Sequence, residues 1–362
     1  MLYNLTMLNK KLSSSLNLKK AYLYMDAKTR CKLYEQKCKI YTKQVDYVKK
    51  ALQIENNNKL RQNDSKMIYK ILINMVDGKE GGELDENTRQ QIKCDLPRTN
   101  TTDRVRTKEG QQELQRVLQA IAYVFPTVGY CQGMNFIASV LLGITDNQEY
   151  KAFYIFIHLL QDKEIRMESL FFQGLPELSV MNFTFEKCIQ KHCPKLFYHL
   201  RSSDMKTEYF TFKWNMTLFS CFLPYSVLIH IFDLFITEGW PSIYRVGVSL
   251  LNNFLAEPVM ELDGMMEISQ YFRDYVKLES TFSQKDIHAI IAGSWQVPIT
   301  QSDLDAYKED FYVQMAQQKM EEHKTEFAKK VSLPPRSIQE PKQSLDKQPS
   351  PNRSRLGRLR RP

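Results

Sequence analysis

The sequence predicts an all-α protein, and three observations favour helices over strands. Glycine and proline are few, 13 and 14 in 362 residues, and alternating stretches of Val, Ile and Thr are scarce. Apolar side chains instead recur at the i, i+3, i+4 and i+7 positions of amphipathic helices, as at Leu114, Val117, Leu118 and Ile121. Because 43% of the residues are hydrophobic and 12% are aromatic, the chain can bury a substantial core, which excludes a wholly disordered or fibrous protein.

Helix ends can be predicted at several points along the chain. A helix that begins near Asp85 or Asn87 is expected to end at Asp95, because Asp and Asn are good N-caps and Pro97 makes Leu96 a poor helical residue. Later helices, rich in apolar and aromatic side chains, are expected over residues 133–142 with a stop at Gly143, and over 152–160, 181–193, 214–222, 225–235 and 242–254.

The chain divides into four predicted segments. Residues 1–60 are rich in Lys, Tyr, Asn and Gln and have weak periodicity, which is typical of a helical or partly disordered N-terminal segment. Residues 61–300 carry the strong helical pattern and form the predicted globular domain. A charged helix over 301–330 precedes a Pro/Ser/Arg-rich tail, residues 331–362, that is predicted to be disordered.

The formal net charge of +9 is concentrated at the C-terminal end. Residues 331–362 hold eight Lys and Arg against two carboxylates, a net charge of +6. Such a tail is usually solvated disorder, and the alternative is contact with an anionic membrane, at about 1 kcal/mol per basic residue. An RNA-binding function rests on this charge alone, so we expect no nucleic-acid partner.

Three features favour the cytosol. Residues 1–20 mix Asn, Ser and Lys with isolated leucines, so no secretory leader is expected. The seven cysteines are odd in number and scattered, as free thiols in a reducing compartment are. The apolar stretch 216–236 contains Pro224 and Asp233. A central aspartate costs about 2.5 to 3.5 kcal/mol in a membrane, so two buried helices explain this stretch better than a span.

The first candidate site segment is residues 92–98. Pro97 ends the preceding helix, which places Arg98 in the loop just beyond it, exposed and able to reach outward. Asp95 is three residues earlier and close enough to accept a hydrogen bond from the guanidinium. The segment therefore predicts an arginine held in one orientation.

The second candidate segment is residues 130–135, between a break at 126–129 and the next apolar helix. It places Gln132 at or just before a helix N-terminus, where backbone N–H groups and the helix dipole favour anions. A neutral amide there can orient a water molecule, because it both donates and accepts. The intervening helix of about 27 Å and a loop of about 30 Å allow this glutamine to meet Arg98 if the loop runs back along the helix.

These segments resemble the TBC family of GTPase-activating proteins for Rab-type GTPases. Ile92, Asp95 and Arg98 match the family's I-x-x-D-x-x-R motif, and Tyr130 and Gln132 match its Y-x-Q motif. The resemblance runs in the family's order over about residues 85–255. Further matching stretches are residues 116–120, 128–135, Trp214 with 217–219, 232–233, 238–239 and 244–246.

The resemblance implies a two-lobed, all-helical TBC domain with its first lobe to about residue 170. Arg98 would neutralise charge between the β- and γ-phosphates of a partner's nucleotide, and Gln132 would orient the attacking water, with Asp95 and Tyr130 in support. The implied partner is a Rab GTPase in its GTP form, in vesicle trafficking, at the surface of endomembranes. No cofactor is expected, since GTP and Mg²⁺ come with the partner, and the chain would be an enzyme activator without catalytic activity of its own.

Two further features concern the domain's interior. Asp233 and Arg245 are both similar to family residues, and we expect them to form an ion pair within one lobe. The family opens with an Arg-x-x-x-Trp block, whereas this chain has no Trp before Trp214. Either that block has diverged here or Met1 is not the natural start.

Other functions are less well supported by the residues. An adaptor that keeps the fold and binds a GTPase or a membrane protein without activating hydrolysis would be indicated by loss of either motif residue, and both are present. Cys188, His192 and Cys193 lack a fourth ligand and the spacing of a zinc site. Cys131 has no His near it in the sequence, so a small buried residue is a simpler interpretation than a nucleophile.

Overall fold

Helices make up all the regular secondary structure in the part of the chain that the computed structural model describes, residues 23–38, 43–53, 65–78, 84–274 and 282–331. No strand occurs within these ranges, so the predicted all-α fold is confirmed. The described residues form seventeen α-helices, and three short stretches of 3₁₀- or π-helix at Leu96–Arg98, Met167–Phe171 and Leu251–Leu255. The helices are α1 Ala27–Lys37, α2 Lys43–Ala51, α3 Ser65–Val76, α4 Glu86–Asp95, α5 Asp103–Arg106, α6 Lys108–Val124, α7 Met134–Ile144, α8 Glu149–Gln161, α9 Pro176–His192, α10 Pro194–Ser202, α11 Glu208–Thr217, α12 Tyr225–Glu238, α13 Trp240–Leu250, α14 Ala256–Met260, α15 Gly264–Asp274, α16 Gln284–Ser294 and α17 Gln301–Val331.

The first lobe is built around α6, which contacts α3, α4, α5, α7 and α8. The predicted apolar stripe of α6 faces this core, and Leu114, Val117, Leu118 and Ile121 are buried. Burial of each such side chain stabilises the folded state by about 1.5 to 3 kcal/mol. Helix α6 therefore fixes the positions of α4 and α7, which carry the two candidate segments.

The second lobe has a cluster of aromatic side chains at its centre. Trp214 on α11 is fully buried and contacts the rings of Phe185, Phe210 and Phe219. Helix α13 packs against α9, α12 and α16 around this cluster. Edge-to-face and tilted ring pairs of this kind add about 0.5 to 1.5 kcal/mol each beyond the area they bury. The aromatic side chains here serve as packing groups.

The two lobes meet where α7 packs against α11 and α12, and α1 lies over this seam in contact with α7, α8 and α12. The Nε–H of Arg30 on α1 is shared between the two oxygens of the buried Asp233 carboxylate on α12, at 2.9 and 3.0 Å. The predicted pair between Asp233 and Arg245 is therefore wrong, because Arg245 binds Glu238 instead. Tyr34, fully buried and four residues after Arg30, gives this helix the spacing of the Arg-x-x-x-Trp block with Tyr in place of Trp.

Several predicted helix boundaries differ from the structure, since α9 and α11 begin at Pro176 and Glu208, five and six residues earlier than predicted, and α7 and α11 end elsewhere. Helix α7 continues through Gly143, where a side-chain Cβ would lie 2.7 Å from the hydroxyl of Tyr225, so this glycine allows α12 to approach. Helix α11 ends at Thr217 because Leu218 and Phe219 adopt positive φ angles of 49° and 64°. The break before Pro224, at the start of α12, is confirmed.

The charged C-terminal helix is confirmed as α17. The described residues fall into two units, with the boundary after Val313. Within the first unit, Lys308 binds Glu177 at 2.6 Å and Phe311 packs on Phe183. Apart from Val331, the predicted disordered tail lies outside the described residues, as does most of the segment before α1. Among the described helices, none combines the length and the apolar character that a membrane crossing needs.

Candidate functional site

The end of α4 places Arg98 on the surface. Asp85 caps the start of this helix by accepting a hydrogen bond from the backbone N–H of Thr88, as its position predicted. Pro97 then converts the end of the helix into a short 3₁₀ turn, and the Arg98 side chain leaves that turn 53% exposed. Its Nη2 donates to Asp95 Oδ1, and the carboxylate itself is buried. We call residues 96–102, which follow α4, the arginine loop.

Gln132 lies exposed on the turn just before α7. Gly133 caps this helix with φ of +115°, a conformation that side chains with a Cβ rarely adopt. A Cβ on Gly133 would also lie 3.1 Å from the carbonyl oxygen of Met216 in α11. The glycine therefore lets the turn pack closely against the second lobe while Gln132 stays in solvent. We call residues 126–133 the glutamine loop.

The two loops lie side by side and share one carboxylate. Tyr130 on the glutamine loop donates its hydroxyl hydrogen to Asp95 Oδ2, while Arg98 donates to Oδ1 of the same side chain. Asp95, Arg98 and Tyr130 thus form one hydrogen-bonded group. Gln132, the fourth residue predicted for the site, follows Tyr130 by two positions in the same loop. Arg98 and Gln132, 34 positions apart in the sequence, project from adjoining loops.

A second connection between the loops was missed by the sequence analysis. Asn135 in the first turn of α7 and Thr99 in the arginine loop are both buried and hydrogen-bonded to each other at 2.7 Å. A polar residue near the start of an otherwise apolar helix was the signal that could have indicated Asn135. Its partner is 36 positions away and could not be identified from local pattern.

Burial controls the protonation of the side chains around Gln132. Burial, and then the hydrogen bond to Asp95, raise the pKa of Tyr130 far above its usual range, so this hydroxyl remains a donor. Burial also raises the pKa of Cys131, which keeps it a thiol rather than a reactive thiolate. Within the described ranges, no group of three or more His, Cys, Asp and Glu side chains is placed to hold a metal ion.

A family comparison covers both loops. The sequence profile described as Rab-GTPase-TBC domain matches residues 27–259, a range that includes α1, α2 and both loops. The chain belongs to the Rab-GTPase-TBC domain family. Arg98 and Gln132 both lie within the matched range.

Individual relatives support the same assignment. The human ecotropic viral integration site 5 protein homolog is 36% identical over 159 residues, 44% of this chain and 19% of that protein. Growth hormone-regulated TBC protein 6 of Caenorhabditis elegans is 27% identical over 230 residues, 63% of this chain and 67% of that protein. The crystal structure of a Chlamydomonas flagellar RabGAP TBC domain superposes with a TM-score of 0.58 at 19% identity, covering 81% of this chain and 89% of that one, which shows a shared fold. The matched part of this chain spans about a fifth of the human relative.

Next to Gln132, this TBC domain has an open and largely apolar groove of about 800 Å³. Phe136 of α7, and Phe212 and Trp214 of α11, contribute to its walls, and Phe212 is 43% exposed. Lys213 adds a positive charge. Exposed apolar surface beside polar groups is typical of a contact with another macromolecule. The groove therefore extends the candidate site from the two loops into the second lobe.

Proposed function

We propose that this chain is a GTPase-activating protein for a Rab-type GTPase, and that it supplies Arg98 and Gln132 to the partner's nucleotide site. One observation carries the proposal: an exposed arginine and an exposed glutamine project from adjoining loops that a single buried carboxylate connects. A guanidinium and a carboxamide in this arrangement can reach one triphosphate together. Membership of the Rab-GTPase-TBC domain family supports the choice of a Rab-type partner.

The chemistry assigns a separate task to each side chain. The Arg98 guanidinium donates hydrogen bonds to the oxygens on which charge develops as the bond between the β- and γ-phosphates breaks. The Gln132 amide accepts a hydrogen bond from the attacking water and donates one to the γ-phosphate. GTP and Mg²⁺ belong to the partner, and an arginine supplied in trans is worth about 10³ to 10⁵ in rate.

Asp95 and Tyr130 prepare the arginine before the partner arrives. The buried Asp95 carboxylate accepts from both Arg98 and Tyr130, so the guanidinium is restrained while more than half of its side chain stays exposed. Restraint before binding lowers the entropy that is lost when the side chain enters the nucleotide site. Regulation of vesicle trafficking at an endomembrane is the cellular role that we propose for this activity.

The test is single-turnover GTP hydrolysis on a panel of Rab GTPases, with Arg98→Ala and Gln132→Ala. We expect the wild-type chain to accelerate hydrolysis on at least one Rab, and Arg98→Ala to lose about 10³-fold or more of that acceleration. Matched controls are Arg201→Ala, which removes an arginine 66% exposed in the second lobe, and Gln318→Ala, an exposed glutamine of α17. Both controls should keep the wild-type rate.

Two results would contradict the proposal. Equal rates for wild type, Arg98→Ala and Gln132→Ala on every Rab that binds would exclude a role for these side chains. Measurable affinity for a GTP-loaded Rab without any acceleration by the wild-type chain would instead support an adaptor with a TBC fold. The binding measurement should therefore accompany the rate measurement for every Rab in the panel.

A further inference from the structure

Two buried side chains connect the backbones of the two loops. Asn135 Nδ2 donates to Thr99 Oγ1 at 2.7 Å, and Asn135 Oδ1 accepts from the backbone N–H of Gly133 at 3.0 Å. Thr99 Oγ1 in turn donates to the backbone carbonyl of Asp95 at 2.8 Å. Asn135 is 0% and Thr99 1% exposed. We call this continuous path, from the Gly133 amide to the Asp95 carbonyl, the inner strut.

The directions of these hydrogen bonds are fixed by the available hydrogens. Thr99 has one hydroxyl hydrogen, which it gives to the Asp95 carbonyl, so it can only accept from Asn135. The buried polar atoms named in this path each have a hydrogen-bond partner. Fully satisfied polar networks away from water are rigid, because any displacement leaves a buried group unpaired. The inner strut is therefore suited to holding the arginine loop and the glutamine loop at a fixed distance from each other.

The inner strut is distinct from the connection through the Asp95 carboxylate. The carboxylate connects two side chains, Arg98 and Tyr130. The strut instead runs from the main-chain amide of Gly133 in the glutamine loop, through the side chains of Asn135 and Thr99, to the main-chain carbonyl at the end of α4. Arg98 immediately precedes Thr99, and Gln132 immediately precedes Gly133. Each proposed catalytic residue is thus anchored by the residue that follows it. The carboxylate can set the orientation of the guanidinium, but the strut sets how far apart the two loops lie.

We propose that Asn135 and Thr99 are positioning residues that fix the separation between Arg98 and Gln132. This inference rests on the proposed function, since it concerns how the same two side chains reach one nucleotide. Reaction rates depend steeply on placement, and a displacement of about 1 Å can cost about 10²-fold. Neither residue touches the partner in this scheme, because both are buried beneath the loops.

The first test compares Thr99→Val with Thr99→Ser on a GTP-loaded Rab that the wild-type chain stimulates. Valine keeps the shape of threonine and removes the hydroxyl, whereas serine keeps the hydroxyl. We expect Thr99→Val to lower the maximal single-turnover rate by about 10- to 100-fold, with the half-saturating concentration changed less than about twofold. Thr99→Ser should keep the wild-type rate. Equal rates for Thr99→Val and Thr99→Ser would overturn the inference.

A second measurement separates positioning from simple loss of folded protein. If the strut places both side chains, adding Arg98→Ala to Thr99→Val should cost much less than Arg98→Ala costs in the wild-type background, because the arginine is already misplaced. A destabilised but otherwise normal protein would show the same fold-loss for Arg98→Ala in both backgrounds. That result would assign Thr99 a structural role alone.

A third measurement uses the free chain and needs no GTPase. Hydrogen exchange at the Gly133 amide should be faster in Thr99→Val and in Asn135→Ala than in wild type, and unchanged in Thr99→Ser. The control is Ser249→Ala, which removes another buried hydroxyl, one that donates to the Ile290 carbonyl at 2.8 Å in the second lobe. Unchanged exchange in Thr99→Val would show that no strut joins the loops. If instead Arg98→Ala and Gln132→Ala leave hydrolysis unaffected, the proposed function fails while the exchange data still decide the strut.

Discussion

Two arginine–aspartate pairs in this TBC domain share their chemistry and differ in their surroundings. Arg30 is 6% exposed and binds Asp233, which is 0% exposed, across the seam between the lobes. Arg98 is 53% exposed and binds Asp95, which is 4% exposed. Both aspartates are buried, so in exposure the two pairs differ at the arginine. A buried guanidinium can hold helices together, whereas an exposed one can be offered to another molecule.

The two pairs also differ in the number of residues that separate arginine and aspartate along the sequence. Arg98 and Asp95 are three residues apart, so one turn of helix brings them together without help from the rest of the fold. Arg30 and Asp233 are 203 residues apart, and α1 must dock on α12 before the pair can form. The first pair should therefore affect activity more than stability, and the second should affect stability more than activity.

The largest expected effect comes from removing the buried arginine. Arg30→Ala should lower the free energy of unfolding by about 3 to 5 kcal/mol, because it leaves the Asp233 carboxylate buried without its partner. Arg98→Ala should lower it by only about 1 kcal/mol, since that guanidinium is largely in water and Asp95 keeps the hydrogen bond from Tyr130. Urea unfolding followed by circular dichroism measures both variants. The hydrolysis rate per folded molecule should be unchanged in Arg30→Ala.

A surface pair provides the control for this contrast. Arg201 and Glu186 lie 2.7 Å apart with the arginine 66% exposed, so Arg201→Ala should cost about 0 to 1 kcal/mol. If Arg30→Ala proved no more costly than Arg201→Ala, burial of the pair would not matter to the stability of the lobes. The division of tasks between the two arginines would then have to be abandoned.

The next effect concerns the carboxylate that holds the exposed arginine. Asp95→Asn keeps the size of the side chain but replaces a charge-assisted hydrogen bond to Arg98 with a neutral one. If the variant loses about 1.5 to 3 kcal/mol of the interaction that orients Arg98, the single-turnover rate should fall by about 10- to 100-fold. Asp233→Asn is the matched variant at the buried pair, and it should leave the rate per folded molecule unchanged. A larger rate loss in Asp233→Asn than in Asp95→Asn would reverse the comparison.

Features that depend on neighbouring residues could be predicted from the sequence. Asp85 and Pro97 define both ends of α4, and therefore place Arg98 in a loop within reach of Asp95. The glycine at position 133 and the apolar run after it likewise place Gln132 before α7. Capping and proline geometry act within one or two turns, which is why these predictions agree with the structure.

Features that depend on tertiary packing could not be predicted. A buried aspartate such as Asp233 must have a partner, but the sequence does not say which cation reaches it. Arg245, 12 positions away, was the wrong choice, since Arg30 comes from a polar helix whose periodicity is weak. The contact between Asn135 and Thr99 has the same origin, because the approach of α7 to the arginine loop is set by the core around α6.

A smaller effect is expected from the second donor to Asp95. Tyr130→Phe removes the hydroxyl hydrogen bond and leaves the ring in place, so Asp95 holds Arg98 with less restraint. We expect the single-turnover rate to fall by about three- to tenfold, equivalent to about 0.7 to 1.4 kcal/mol. Tyr154→Phe is the matched control, because its buried hydroxyl donates to the Ser65 carbonyl at 3.3 Å, within the first lobe and away from Asp95. A rate equal to wild type in Tyr130→Phe would mean that Arg98 alone needs the carboxylate.

The last effect is the pH dependence that the buried pair gives to stability, which per pH unit is smaller than the loss expected for Arg30→Ala. Burial raises the pKa of Asp233 from 3.8 to about 7, against the opposing charge of Arg30. Between about pH 4 and pH 7 the folded state therefore holds a proton that the unfolded chain has already released. This contribution to stability is complete below about pH 4 and is lost as the pH rises towards 7. The slope cannot exceed about 1.4 kcal/mol per pH unit.

Asp233→Asn removes this titration and leaves every other group in place. Urea unfolding of wild type and Asp233→Asn at pH 5, 6 and 7 gives a difference in unfolding free energy that isolates Asp233. We expect the advantage of wild type over the variant to shrink as the pH rises. If the advantage of wild type over Asp233→Asn instead grew with pH, the charge of Arg30 would outweigh burial and keep the Asp233 carboxylate ionised. The buried pair would then be an ion pair like that of Arg98 and Asp95, and the contrast between the two pairs would not hold for their charge.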